Sequence, residues 1–66
     1  MQISINGEPR QFDAPLSLGA LLVQLDLVGK RIAIERNGEI VPRSQHAQTC
    51  LADADRIEIV VAVGGG

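Results

Sequence analysis

The stretch PLSLGALLVQLD, residues 15–26, is where the hydrophobic period changes, and its reading decides the fold. Leu18, Leu21, Leu22 and Leu25 recur at i, i+3, i+4 and i+7, the apolar stripe of an amphipathic helix. Ser17 stands at the N-cap, where its hydroxyl accepts from an otherwise orphaned backbone N–H. Leu16 before it and Leu21 after it have the spacing of a hydrophobic staple. Gly19 costs a helix up to about 1 kcal/mol relative to Ala, but it falls in the first turn. Helix and trailing Leu27 and Val28 are expected to end at Gly29.

On either side the period is two. Met1, Ile3 and Ile5 alternate with Gln2 and Ser4, the pattern of a half-buried strand. Asn6-Gly7 is a hairpin turn signal, because both residue types tolerate positive φ. A second strand should return through RQF and carry Phe12 inward, with Pro9 marking a longer loop or an edge position. Beyond the helix, Ile32 and Ile34 alternate with Ala33 and Glu35. Asn37-Gly38 marks a second turn, and Pro42 stops a short strand, EIV. The polar RSQHAQTC reads as a loop with one helical turn, for which Ser44 is the candidate cap. In RIEIVVAV, residues 56–63, Ile57, Ile59, Val61 and Val63 share one face, while Val60 and Ala62 lie on the other with Arg56 and Glu58.

Hairpin, helix, strand, short return, loop and strand make an α+β protein. One helix on one face of a mixed four- to five-stranded sheet buries all these stripes economically. The first and last strands are apolar and free of Pro, which places them centrally and side by side. That arrangement is a β-grasp, the ubiquitin-like roll, over residues 1–63, with residues 64–66 as a bare Gly-rich tail.

Composition narrows the function. A chain of 66 residues buries only roughly 60% of its unfolded surface, which disfavours a deep catalytic cleft. The net charge of −2 argues against a phosphate-backbone ligand. Phe12 is the sole aromatic, so there is no stacking platform either, and nucleic acid is not an expected partner. No apolar run approaches the roughly 20 residues of a membrane helix, and the first residues lack a secretory signal pattern. A cytoplasmic, reduced protein with no membrane partner is the expectation. Cys50 is the single cysteine and cannot form an internal disulfide.

Several segments together resemble the thiamine-biosynthesis sulfur carrier proteins of the ThiS family: MQISING, LSLGALLVQL, NGEIVPRSQ, LADADRIEIVVAV and the Gly-Gly end. NGEIVPR and the terminal glycines are the specific parts; the apolar stripes fit any β-grasp protein. His46 stands where family members often carry an aromatic residue, and Ala54-Asp55 where Gly-Asp is common. The resemblance implies a cycle at the chain end. An adenylating enzyme related to ubiquitin-activating enzymes uses ATP and magnesium to activate the carboxylate of Gly66. A sulfur relay donor converts the adenylate to a thiocarboxylate, and thiazole synthase takes the sulfur. This chain is then a carrier and co-substrate rather than an enzyme, and binds no cofactor itself.

Elementary chemistry is consistent with that cycle. A terminal carboxyl titrates near pH 3.3–3.7, so at neutral pH it is an anionic nucleophile that needs no base from its own chain. Gly64 and Gly65 lack Cβ and let a partner close around the backbone. Three extended residues reach only roughly 10 Å, so the folded body must dock beside the partner's channel. Val60 and Ala62, flanking the last strand on the face away from the helix, are the candidate docking residues. The tail, having no side chains to pack, is expected to be mobile.

Plainer readings stand beside these. The glycines could be an incidental tail. Cys50 reads more simply as a small buried hydrophobe than as a persulfide-forming thiol. His46 has no partner at ligand spacing, so no metal site is expected. Asp53 and Asp55 read as turn caps rather than an acid–base pair, and Asn37-Gly38 as a turn alone. A molybdopterin-synthesis sulfur carrier and a ubiquitin-like interaction module remain the alternatives to the thiazole carrier. An enzyme ranks last, because no nucleophile–base pair, metal cluster or phosphate loop is visible.

Overall fold

The computed structural model describes residues 1–62. Five strands, β1 (Gln2–Ile5), β2 (Glu8–Gln11), β3 (Ile32–Arg36), β4 (Glu39–Val41) and β5 (Arg56–Val61), form one open sheet in the order β2-β1-β5-β3-β4. The helix α1 (Leu18–Gln24) and a 3-10 helix (Arg43–Gln48) complete it. β1 and β5 pair in parallel and every other neighbour is antiparallel. The last strand is therefore the centre of the sheet, beside the first, as the apolar, Pro-free character of both requires.

The core follows the stripes. Leu18, Leu21 and Leu22 of α1 pack with Ile3, Ile5, Ile34, Ile57 and Ile59 from the sheet, and Leu16 and Leu51 close the cluster. Ser17 caps α1, its hydroxyl accepting from the Ala20 N–H at 3.0 Å, and buried Leu16 and Leu21 complete the staple. Gly19 has a reason to be glycine: a Cβ there would lie 3.1 Å from the Ala47 Cα. The small residue lets α1 approach the 3-10 helix closely.

α1 ends earlier than Gly29. Asp26 adopts φ 59, the Asp26 N–H donates to the Val23 carbonyl at 3.1 Å, and the Leu27 N–H donates to the Leu22 carbonyl at 2.9 Å. These two bonds are a Schellman closure with Asp in the left-handed position that glycine usually fills. Leu27 then folds back onto the core, so its apolar character belongs to the stop and not to a further helical turn.

Both Asn-Gly turns are two-residue connections with positive φ at each residue: 52 and 84 at Asn6-Gly7, 52 and 87 at Asn37-Gly38. They have the backbone twist that suits antiparallel neighbours. Pro9 accordingly marks an edge strand, not a longer loop, since β2 is the sheet's outer strand. Phe12 lies one residue past β2 and still packs against the core. Its carbonyl accepts from the amino group of Met1 at 3.0 Å.

Three other local expectations are corrected. The 3-10 helix starts after Pro42 with no side-chain cap bond, so Ser44 is not its cap. Cys50 is exposed rather than a buried hydrophobe; the backbone bonds of Thr49 and Leu51 to Leu18 and Leu16 leave its side chain turned outward. Val61 is 38% exposed, although its alternation matches Ile57 and Ile59. The seven-residue helix is roughly 10 Å long against roughly 20 Å for the six-residue β5. Val61 falls beyond its cover.

Candidate functional site

The candidate site is built where β5 runs out of the sheet. Ile59 is the last buried residue of β5. Past it, the Ala62 N–H donates to the Arg31 carbonyl at 2.8 Å, so backbone pairing holds the chain to the β3 side up to the end of the described residues. Val60, opposite Ala33 in the register, is 65% exposed on the face away from α1. Val60 and Ala62 line a shallow groove with Arg31, Ile32, Ala33 and Arg43. The two residues singled out in the sequence are thus brought together on one open surface. Gly64, Gly65 and Gly66, and Val63 before them, lie outside the described residues, as does the expected mobility of the tail.

Two turn asparagines fix the strand that leads to this exit. Asn6 donates its backbone N–H to the Ile57 carbonyl at 2.9 Å. Its side-chain oxygen accepts from the Ile59 N–H at 2.8 Å and its side-chain nitrogen donates to the Ile59 carbonyl at 3.2 Å. On the opposite flank Asn37 repeats the device. Its backbone N–H donates to the Arg56 carbonyl at 2.8 Å, and its side-chain oxygen accepts from the Arg56 N–H at 2.8 Å. The amide accepts through its oxygen and at the same time donates through its nitrogen, to the Asp55 carboxylate at 2.9 Å, so Asn37 is more than a turn residue.

Asp55, at the entry of β5, is a second feature that sequence reasoning read only as a cap. It does cap its turn, accepting from the Ala52 N–H at 2.8 Å. It also accepts from Asn37 Nδ2 at 2.9 Å and from Arg36 Nε at 2.9 Å, and it is buried. Burial pushes its pKa upward, but the Ala52 N–H, the Asn37 amide and the Arg36 guanidinium outweigh this and hold the carboxyl below the usual range. The group is a structural anchor. Asp53 accepts from the Gln2 N–H at 2.7 Å, which ties the same turn to β1.

His46 is the buried residue of the 3-10 helix, with Nε2 3.1 Å from the Val41 carbonyl. A carbonyl only accepts, so Nε2 carries the proton. Among the described residues no group of three or more His, Cys, Asp or Glu is arranged to hold a metal ion. No helix among them is long and apolar enough to cross a membrane.

Sequence reasoning missed the charge around the exit. Arg31 and Arg43 line the groove, and Arg43 reaches across to donate to the Lys30 carbonyl at 3.1 Å. The adjacent pair Lys30-Arg31 was the one sequence signal; Arg43 joins it only through the fold.

A β-grasp body, a central last strand and an open apolar exit call for comparison with known proteins. The ThiS family profile matches residues 3–66. The chain belongs to the ThiS family. It is 38% identical over 66 residues to the sulfur carrier protein ThiS of Escherichia coli, covering 100% of both chains. The crystal structure of the thiamine biosynthesis protein ThiS from Geobacter metallireducens superposes with a TM-score of 0.83 at 30% identity, again over 100% of each chain. A thiazole synthase of Paramagnetospirillum magneticum is 47% identical over 66 residues; this ThiS-family chain spans 20% of its length. Fold and family agree: this is the ubiquitin-like ThiS architecture.

Proposed function

We infer that the chain carries sulfur for thiamine biosynthesis on the carboxyl group of Gly66, as a co-substrate and not as a catalyst. The observation that carries this reading is the family match, which continues through Gly64, Gly65 and Gly66 to residue 66. The tail-directing strand supports it, since β5 is bonded on both flanks and delivers the chain beside exposed Val60 and Ala62.

In the proposed cycle a carboxylate oxygen of Gly66 attacks the α-phosphorus of ATP, held with magnesium by the adenylating enzyme, and pyrophosphate leaves. The terminal sulfur of a persulfide on the relay donor then displaces AMP from the acyl carbon to give an acyl disulfide. A second thiol attacks the donor's sulfur, forming a disulfide there and releasing the Gly66 thiocarboxylate. Nothing in this body needs to act as an acid or base. Its work is to present a thread without side chains at a fixed place, which glycine suits. Val60 and Ala62 form the apolar contact that seats the body at the mouth of the enzyme's channel.

Thiazole synthase is the proposed acceptor. In the Paramagnetospirillum magneticum protein a domain similar to this chain is part of a polypeptide named thiazole synthase. Tethering raises the effective concentration of a carrier at its acceptor, which favours thiazole formation over molybdopterin synthesis. The test is an intact mass after incubation with an adenylating enzyme, ATP and a sulfur donor. A gain equal to one oxygen exchanged for sulfur, located on Gly66, is expected. No gain, together with full activity after deletion of Gly65 and Gly66, overturns the reading.

A further inference from the structure

We propose that Lys30, Arg31 and Arg43 form a basic collar at the exit of β5 that docks on an acidic rim around the tail channel of the adenylating enzyme. The proposal rests on the carrier reading and adds the chemistry of the surface that the body meets.

Three of the chain's six Lys and Arg residues gather at this one place, although the net charge is −2. Two hydrogen bonds draw their segments together: the Ala62 N–H donates to the Arg31 carbonyl at 2.8 Å, and the Arg43 guanidinium donates to the Lys30 carbonyl at 3.1 Å. All three are exposed. The ion pairs among the described residues are Arg10–Glu8 and Arg36–Asp55, and neither uses a collar residue. Arg31 and Arg43 flank an apolar strip of Ile32, Val60 and Ala62, and Lys30 lines the adjoining groove that Arg43 and Ile32 share, giving an apolar centre with a charged rim.

Reach decides what the collar meets. Four residues follow Ala62, and fully extended they span at most about 14 Å. When Gly66 is at the nucleotide, the collar is too far back to touch phosphate, yet it is held at the channel mouth. The charges available to it are side chains of the enzyme around that mouth, and complementarity requires carboxylates there. An acidic rim also steers the exit end in first, which the chain's net negative charge alone would oppose.

The experiment titrates the chain into the adenylating enzyme from the same genome at low and high salt. The variants are Arg31→Glu, Arg31→Glu/Arg43→Glu and Arg10→Glu, each checked for folding by far-UV circular dichroism. Arg31→Glu leaves the Arg43–Lys30 bond untouched, so it reads the collar even if the double variant is misfolded. Wild-type affinity should fall with salt. Collar reversal should weaken low-salt binding by roughly tenfold or more and flatten the salt dependence, while Arg10→Glu stays near wild type. Equal weakening by Arg10→Glu would make net charge the cause and overturn the collar. So would unchanged affinity in folded collar variants. If those variants bind and gain sulfur normally, the collar alone fails. If the wild-type chain neither binds nor gains mass, the carrier reading fails with it.

Discussion

Replacing Asp55 with Ala should remove a large share of this protein's stability. The Asp55 carboxylate accepts from the Ala52 N–H at 2.8 Å, Arg36 Nε at 2.9 Å and Asn37 Nδ2 at 2.9 Å. Removing one partner of a buried pair costs about 3–5 kcal/mol. The Arg36 side chain is 31% exposed and regains some water, which places the loss near the low end, about 3 kcal/mol. A domain of this size has roughly 3–10 kcal/mol in total. The melting temperature should therefore fall by roughly 12–24 °C. With Phe12 as the sole aromatic, far-UV circular dichroism is the suitable probe for thermal and urea melts. A loss under about 1 kcal/mol, the range of exposed ion pairs, would refute the reasoning. It would mean that water replaces the carboxylate and that Asp55 does not lock the β3–β4 turn to β5.

Other outcomes test the rest of the account. Because Asp55 has a lowered pKa in the folded state, its stabilisation is present above the unfolded carboxyl value of about 3.9 and is lost as pH falls through the folded value. Urea midpoints of the wild type should drop more steeply on acidification than those of Asp55→Asn, and identical acid slopes would exclude this linkage. Asn6→Asp should cost about 1–2 kcal/mol, since a carboxylate cannot donate to the Ile59 carbonyl that it would face; unchanged urea midpoints would remove the strand-bracketing role. Val60→Glu, at a 65% exposed site, should alter stability by no more than about 0.5 kcal/mol while weakening binding to the adenylating enzyme. Wild-type affinity in the folded variant would take Val60 out of the docking surface.

The elements that sequence made legible are those set by neighbours in the chain. The Leu18–Leu21–Leu22 stripe, the Ser17 cap and the two Asn-Gly turns each express a preference within a few residues. The misplaced ones are sites where two local preferences compete. Gly29 is the better helix stop on composition, yet the helix stops at Asp26, because Leu27 packs half-buried against the core by turning back there. Val61 carries the right alternation, but no helix lies over it. Cys50 is apolar enough for a core, yet the pairing of its neighbours with residues 16 and 18 turns it outward.

The β-grasp order, the central position of the last strand and the glycine run at 64–66 are legible in the sequence alone. Periodicity, turn chemistry and absent side chains are local properties that survive reading in one dimension. Tertiary structure alone decided that Asn6 and Asn37 clamp β5 from both flanks, that Asp55 anchors its entry to Arg36, and that Arg43 joins Lys30 and Arg31 around its exit. Those groups are far apart along the chain, and a hydrogen bond or a shared charge field depends on a distance in space that only the folded sheet supplies.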